Sequence, residues 1–388
     1  MKKTFRPFAA FMLLAFAILA CSSSFEVVGT QPPPTEQSTT LPAAPVVFER
    51  LLPHTFYYLA DGQVFRMEHD GKTVTQLTFE PVDVTDYDVS PVDGSVAYVA
   101  SNQLLLVDAD GSNRRMLVDG GTSPDLHGSY NPVFSPDGRT LAYARNGLNL
   151  YDLSAGIPSL VLEDLPLGGA LPPEIYAPEK YSPDGTKLLL KVGHPPDSPW
   201  TGAIYSPATK VLQQFAGDEE STTCCTQYGG AEWSADSSSF YAVASTPDAS
   251  FPFGELWRVD AVTGGVTTLI PGSAGEGAVN LPYKPYLAPD GNLYFFYNTA
   301  LNPDGVASRT PLQIVRTAPD GVTGLAVLRP DTFELMNEAL WAPDASFVVV
   351  AFAPTDEVYD GGRAEIVYLD GRPNVVLTTF AQQMKWGQ

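Results

Sequence analysis

Basic residues are scarce in this 388-residue chain: 22 Lys and Arg stand against 44 Asp and Glu, a formal net charge of −22. Docking on phosphates needs a basic stripe, so nucleic acid is excluded as a partner. Charged residues of both signs reach only 17%, whereas 44% of the chain is hydrophobic, a balance that excludes intrinsic disorder. Histidine is limited to His54, His69, His127 and His194, scattered without the H-E-x-x-H or paired spacing of a zinc site. The segment nearest to a G-x-S-x-G nucleophile elbow, Pro271 to Gly275, lacks its leading glycine. Asp108-Ala109-Asp110-Gly111 begins like a calcium loop but lacks the later ligands and the bidentate Glu, and reads as a hairpin turn. Beyond residue 20 no apolar run approaches the length of a membrane span. These absences predict no catalytic residue, no metal ligand and no cofactor, and make an enzymatic role the less favoured reading.

Turn formers and aromatics are plentiful instead: 33 Gly, 35 Pro and 11% Phe, Trp and Tyr. Strands favour aromatics and turns favour Gly and Pro, so the composition predicts a turn-dense, sheet-rich fold and argues against a long helical bundle. At the N-terminus, Lys2, Lys3 and Arg6 precede the apolar run Phe8–Ala20, a pattern that reads as a signal peptide over residues 1–20. That run ends in Ile18-Leu19-Ala20-Cys21, which resembles a bacterial lipobox. The resemblance implies cleavage before Cys21, lipidation of its sulfur and attachment to a bacterial membrane on its extracytoplasmic side, periplasmic or at the cell surface. Loss of the three cations would take the net charge to −25. Residues 21–45 form a Ser, Thr and Pro-rich tether, and residues 46–388 a single folded domain.

Within that domain the sequence repeats. Ser135-Pro136-Asp137-Gly138 recurs as Ser182-Pro183-Asp184-Gly185 and, loosened, from Ser90, Ser234, Ala288 and Ala342; the starts are 45, 47, 52, 54 and 54 residues apart. A period of about 45–50 residues belongs to propeller blades. The tetrapeptide suits a tight hairpin: Pro presets φ, Asp tolerates the next position, and Gly takes the left-handed site. A second turn class falls at Asp70-Gly71, Asp110-Gly111, Ala155-Gly156, Pro207-Ala208, Gly264-Gly265, Asp320-Gly321 and Asp370-Gly371. Each repeat thus holds four strands, A to D, with one turn class joining A to B and the other C to D. There are seven C–D turns but six A–B turns, and Trp386 lies 45 residues beyond Trp341. The terminal segment is therefore expected to serve as strand A of the first repeat. The expected fold is all-β: a seven-bladed β-propeller of four-stranded antiparallel blades, closed by the C-terminal strand joining the first blade.

Together with the Val107-Asp108-Ala109-Asp110-Gly111 hairpin, these tetrapeptides resemble the W-S-P-D-G repeat of TolB-type propellers over residues 54–388. The resemblance implies the fold; such propellers serve translocation proteins, peptidase accessory domains and surface binders, so it does not imply one function. It departs from TolB itself in having a tether where that protein carries an α/β domain.

Two regions are candidates for function. Residues entering the A strands, Asp86, Asn131, Glu179, Glu232, Lys284 and Glu338, with Gln383 and Lys385, would crowd one mouth of the central channel. Such a mixed polar ring suits a small ligand or a cation, and water satisfies it equally well. On the same face the B–C loops of the last four repeats are long and carry Trp200, Phe251, Phe253 and Tyr359. Loops on a rigid scaffold commonly carry binding, although surface loops also drift without consequence. The adjacent Cys224 and Cys225 lie in a D–A loop, open to a vicinal disulfide, to free thiols, or to redox or metal chemistry. The expectation is a binding or scaffolding module for an envelope protein, peptide or glycan. Its alternatives are a hydrolase or lyase with carboxylates at the channel mouth, or an accessory subunit of a separate peptidase or transporter.

Overall fold

The structure, a computed structural model, describes residues 50–121, 131–166, 174–193, 201–215, 227–245, 254–301 and 310–388. Every regular element among them is a β-strand. Five antiparallel sheets of four strands begin with Asp86–Val89, Val133–Phe134, Ile175–Tyr181, Gln227–Trp233 and Tyr283–Leu287. They are numbered sheets 2 to 6 below, with strands A to D in chain order. Sheet 1 contributes Phe56–Ala60, Gln63–Met67 and Val74–Gln76, and sheet 7 begins with Met336–Trp341, Phe347–Phe352 and Gly362–Tyr368. The twelve-residue strand Val375–Trp386 joins these two into one seven-stranded sheet. Its first half pairs with sheet 7, Ile366 opposite Val375 and Gly362 opposite Ala381. Its second half pairs with sheet 1, Phe56 opposite Trp386, Tyr57 opposite Lys385 and Leu59 opposite Gln382. The terminal segment thus pairs along both sheets.

Local chemistry explains the turns. At Ser135 the hydroxyl donates to Asp137 Oδ1 (2.6 Å) and accepts the Thr140 amide (2.9 Å), while the Gly138 amide closes on the Ser135 carbonyl (2.9 Å). Gly138 sits at φ +66°, in the left-handed region that costs an L-residue about 1–2 kcal/mol. Where the motif loosens, Ser237 and Ala345 hold the same conformation without being glycine, at φ 59° and 53°. The second turn class behaves alike: Asp320 Oδ1 caps the amides of Val322 and Thr323, and Gly321 is left-handed at φ 77°. Asp110 accepts the Ser112 amide and Asn113 reaches Asp108, so that segment is a hairpin turn.

Strands B and C are apolar on both faces because each sheet is covered on both sides; Val96–Ala100 is buried throughout. The D strands, such as Arg115–Asp119, are largely exposed. Among the described residues, core side chains form seven clusters, each shared by two consecutive sheets. Tyr57 and Val64 of sheet 1 meet Tyr87 and Tyr98 of sheet 2, for example, and Phe347 and Ile366 of sheet 7 meet Phe56 and Met67 of sheet 1. Indole N–H groups add ties between sheets: Trp341 Nε1 donates to the Lys284 carbonyl (2.8 Å) and Trp386 Nε1 to the Trp341 carbonyl (2.7 Å). His69 stands in a C–D turn. Its carbonyl accepts the amides of Leu51 and Leu52, and its Nδ1 lies 3.1 Å from the Leu52 carbonyl oxygen. A small three-stranded sheet, Ser273–Gly275, Ala278–Asn280 and Thr299–Leu301, takes its last strand from the long B–C loop of sheet 6.

Candidate functional site

The A strands do not alternate cleanly at their entry ends. Register shifts interrupt five of them, between Pro178 and Lys180, Gly229 and Glu232, Tyr283 and Tyr286, Met336 and Glu338, and opposite Tyr57 and Leu59 within 382–385. A bulge of this kind inserts a residue, sharpens the twist and re-aims its side chain. Asn131, Gly230, Lys284 and Gln383 occupy one repeat position, four residues before the turn, and all are left-handed, at φ 36°, 63°, 50° and 51°. Such a conformation is costly for Lys284 and Gln383, and costs of this kind concentrate where a side chain must be aimed.

Charged side chains near these entry ends make one cluster drawn from sheets 1, 2, 4, 5, 6 and 7. Asp88 spans two neighbours: its Oδ1 accepts Lys385 Nζ of the terminal strand (2.9 Å), and its Oδ2 accepts the Phe134 amide of sheet 3 (2.7 Å). Glu338 of sheet 7 accepts two backbone amides of the terminal strand, from Gln383 (2.7 Å) and Met384 (3.0 Å). Glu232 of sheet 5 accepts Lys180 Nζ of sheet 4, and Glu179 lies 3.8 Å from Lys191. The Tyr87 hydroxyl donates to the Gln383 carbonyl (2.6 Å), beneath the Lys385 ammonium at 5.3 Å from its ring. Charge-assisted bonds are the strong ones, and those of Asp88, Glu338 and Glu232 run between sheets.

Three groups stand out electrostatically. Burial pushes the Asp86 carboxyl up to about 6, against the opposing pull of Lys385 and of the Tyr87 amide it accepts. Burial works against the Lys385 charge, but Asp88 and Asp86 prevail and raise its pKa. Lys284 is raised by Tyr283 foremost, then by Glu338, Glu232 and Glu179, with burial opposing. Its aliphatic stem runs along Gly230 of sheet 5, where a Cβ would lie 3.3 Å from Lys284 Cδ. Its ammonium stands 5.6 Å from the Tyr283 ring and, among the described residues, has no ion pair. Lys180, Lys191 and Lys385 are each paired.

The structure therefore brings Asp86, Glu179, Glu232, Lys284 and Glu338 into one electrostatic neighbourhood and adds Asp88, Lys180 and Lys191, which sequence reasoning passed over. Aligning the repeats by their turns holds the missing signal, since Asp88, Lys180, Glu232 and Lys385 share the position two residues before it. Asn131 enters its own strand at the bulge position, without a charge to contribute. Tyr359 is 64% exposed in the loop 353–363, which Asn337 holds through the carbonyls of Val358 (3.1 Å) and Gly361 (2.6 Å). Cys21, Trp200, Cys224, Cys225, Phe251 and Phe253, and with them most of the long-loop wall, lie outside the described residues, as do His127 and His194. Among the described residues no three His, Cys, Asp or Glu side chains gather as a metal site would require.

Among solved structures, the chain is similar to a prolyl endopeptidase, with a TM-score of 0.54 and 14% identity over 87% of this chain and 52% of that one. It spans about half the length of that peptidase. It is also similar to an oligogalacturonate lyase in complex with manganese (TM-score 0.53, 13% identity, 84% of this chain and 83% of that one). A TolB structure from Agrobacterium tumefaciens aligns with a TM-score of 0.44 and 17% identity, over 78% of this chain and 98% of that one. No family model and no curated protein matches. At such identities the likeness to the peptidase and the lyase is one of fold. With the four-stranded antiparallel sheets, it defines the class of this protein: a β-propeller.

Proposed function

We propose that this protein is a lipid-anchored, extracytoplasmic binding module whose seven-bladed propeller is closed by its terminal strand. Its charged A-strand mouth engages a protein, peptide or glycan of the cell envelope. The seven-bladed reading draws support from the seven shared core clusters and from the Phe56–Trp386 pairing. Anchoring rests on the lipobox around Cys21. One observation carries the binding reading: a mouth of mixed charge assembled by strained bulges, in which Lys284 alone of the four clustered lysines lacks an ion pair among the described residues. Five carboxylates (Asp86, Asp88, Glu179, Glu232, Glu338) against four lysines suit a polar partner group that carries both signs or many hydroxyls, rather than a bare anion.

The test is capture of envelope partners by the full chain and by the Lys284→Met and Glu232→Gln variants. Loss of a partner from both variants, with trimming of the loop 353–363 leaving it bound, supports the mouth; an unchanged partner set contradicts it. Metabolic labelling with a fatty-acid analogue tests the anchor, since Cys21→Ser should abolish a label that the wild type carries.

A hydrolase or lyase reading has one observation in its favour, the Asp86 carboxyl raised to about 6, near where a general acid or base works. Against it, Glu338 is committed to backbone amides and Glu179 and Glu232 lie beside lysines.

A further inference from the structure

The charges of the A-strand cluster stand in two tiers. The position two residues before the A–B turn holds Asp88 with Lys385 and Glu232 with Lys180, and each pair closes on itself between neighbouring sheets. The position four residues before the turn lies nearer the mouth and is charged at Asp86, Glu338 and Lys284. Glu338 is committed, since its two oxygens accept the amides of Gln383 and Met384. That leaves one acid and one base. Asp86 accepts the Tyr87 amide through Oδ1, and its Oδ2 has no hydrogen-bond or ion-pair partner among the described residues. Lys284 Nζ likewise has none. Both residues are half-buried, yet neither open atom is sealed from water, unlike Oε1 of nearby Gln383.

A half-buried charge without a counter-charge bears a desolvation cost that a ligand group of opposite sign offsets. Asp86 and Lys284 do not offset one another. They stand on sheets 2 and 6, and the charged neighbours acting most on Asp86 are Lys385 and Asp88, while Tyr283 and Glu338 act most on Lys284. A ligand serving both must carry both signs, on groups several bonds apart. An unblocked peptide does so, whereas an α-amino acid holds its two charges side by side. A dianion such as phosphate is disfavoured, because Glu338, Glu232 and Glu179 surround Lys284. The aim of Lys284 is fixed by its left-handed backbone, by the register shift between Tyr283 and Tyr286, and by Gly230, which leaves room for its stem. We propose that the mouth binds a short unblocked peptide, with the C-terminal carboxylate on Lys284 Nζ and the N-terminal ammonium on Asp86 Oδ2. This rests on the binding reading above and names the ligand class of that site.

The test is calorimetry on the full chain near neutral pH with dialanine, trialanine and tetra-alanine, each unblocked, N-acetylated or C-amidated, and with inorganic phosphate. An unblocked peptide should bind, and either block should weaken it about tenfold or more, since each removes one charge-assisted bond. Lys284→Met should weaken the unblocked peptide by a similar factor and no longer respond to amidation. Asp86→Asn should no longer respond to acetylation. Melting curves establish that both variants are folded, and the blocked peptides test the wild type without any substitution. Three results would overturn the proposal: blocked peptides bind as well as unblocked ones, a folded variant still responds to its own block, or phosphate binds in place of peptide. Loss of an envelope partner from the mouth variants, with no unblocked peptide bound by the wild type, would overturn this inference and leave the binding reading standing.

Discussion

Removing the Glu338 carboxylate should loosen the terminal strand from sheet 7. Its two oxygens accept the amides of Gln383 and Met384 at 2.7 and 3.0 Å, across the boundary between two sheets and beside the left-handed Gln383. A hydrogen bond to a charged group contributes about 1.5–3 kcal/mol, and partial exposure of Glu338 lets water recover part of that. Glu338→Ala should therefore cost about 2–4 kcal/mol. For a domain of this size that corresponds to a drop in melting temperature of roughly 3–6 °C. Glu338→Gln keeps one acceptor oxygen and the shape of the side chain, and should cost about half as much. The assay pairs thermal melts with amide hydrogen exchange at Gln383 and Met384, which should lose protection in the Ala variant. A melt within about 0.5 kcal/mol of wild type, with both amides still protected, would refute the assignment of this carboxylate as an inter-sheet tie.

Gly138→Ala should destabilise by about 1–2 kcal/mol, because φ is +66° and the new Cβ would sit 3.0 Å from Val92 Cγ2; urea unfolding that matches wild type would show that the turn relaxes freely. Asp86 gives a pH test. Its folded pKa, about 6, is above the ordinary 3.8, so its contribution is fully present below pH 3.8 and lost as pH rises through 6. Asp86→Asn should therefore be more stable than wild type at pH 8 by about 1–3 kcal/mol, with the gap closing toward pH 4. A pH-independent difference between the two proteins would sink that account.

What the sequence made legible was the chemistry that is local. A Ser-Pro-Asp-Gly turn needs only its own four residues and the next two, so its period exposed the repeated sheets. The surplus C–D turn, with Trp386 one period beyond Trp341, pointed to the pairing with Phe56. The charged cluster was only half legible. Glu179, Glu232 and Glu338 were found as charges near strand entries, but simple alternation could not say where they point, because bulges shift the register by one residue in five strands. Lys191 was missed for a different reason: it comes from a B strand and meets Glu179 only through the register of its sheet. The hairpin around Gly275 and Gly277 was hidden because Ser, Ala and Gly carry little strand propensity, and left-handed Glu276 gives no turn signal in sequence.

The central claim is that Gln382–Trp386 completes the first sheet, and truncation after Ala381 tests it most directly. That cut exposes the edge of Phe56–Ala60 and removes Trp386 from its packing on Phe56 and Phe347. Losing a large aromatic from a packed position costs about 3–5 kcal/mol before the unpaired edge is counted. The truncated protein should melt roughly 10 °C lower than the full chain, with those amides of Phe56–Leu59 that bond to the terminal strand losing protection. A truncated protein that melts with the full chain and keeps those amides protected would contradict it.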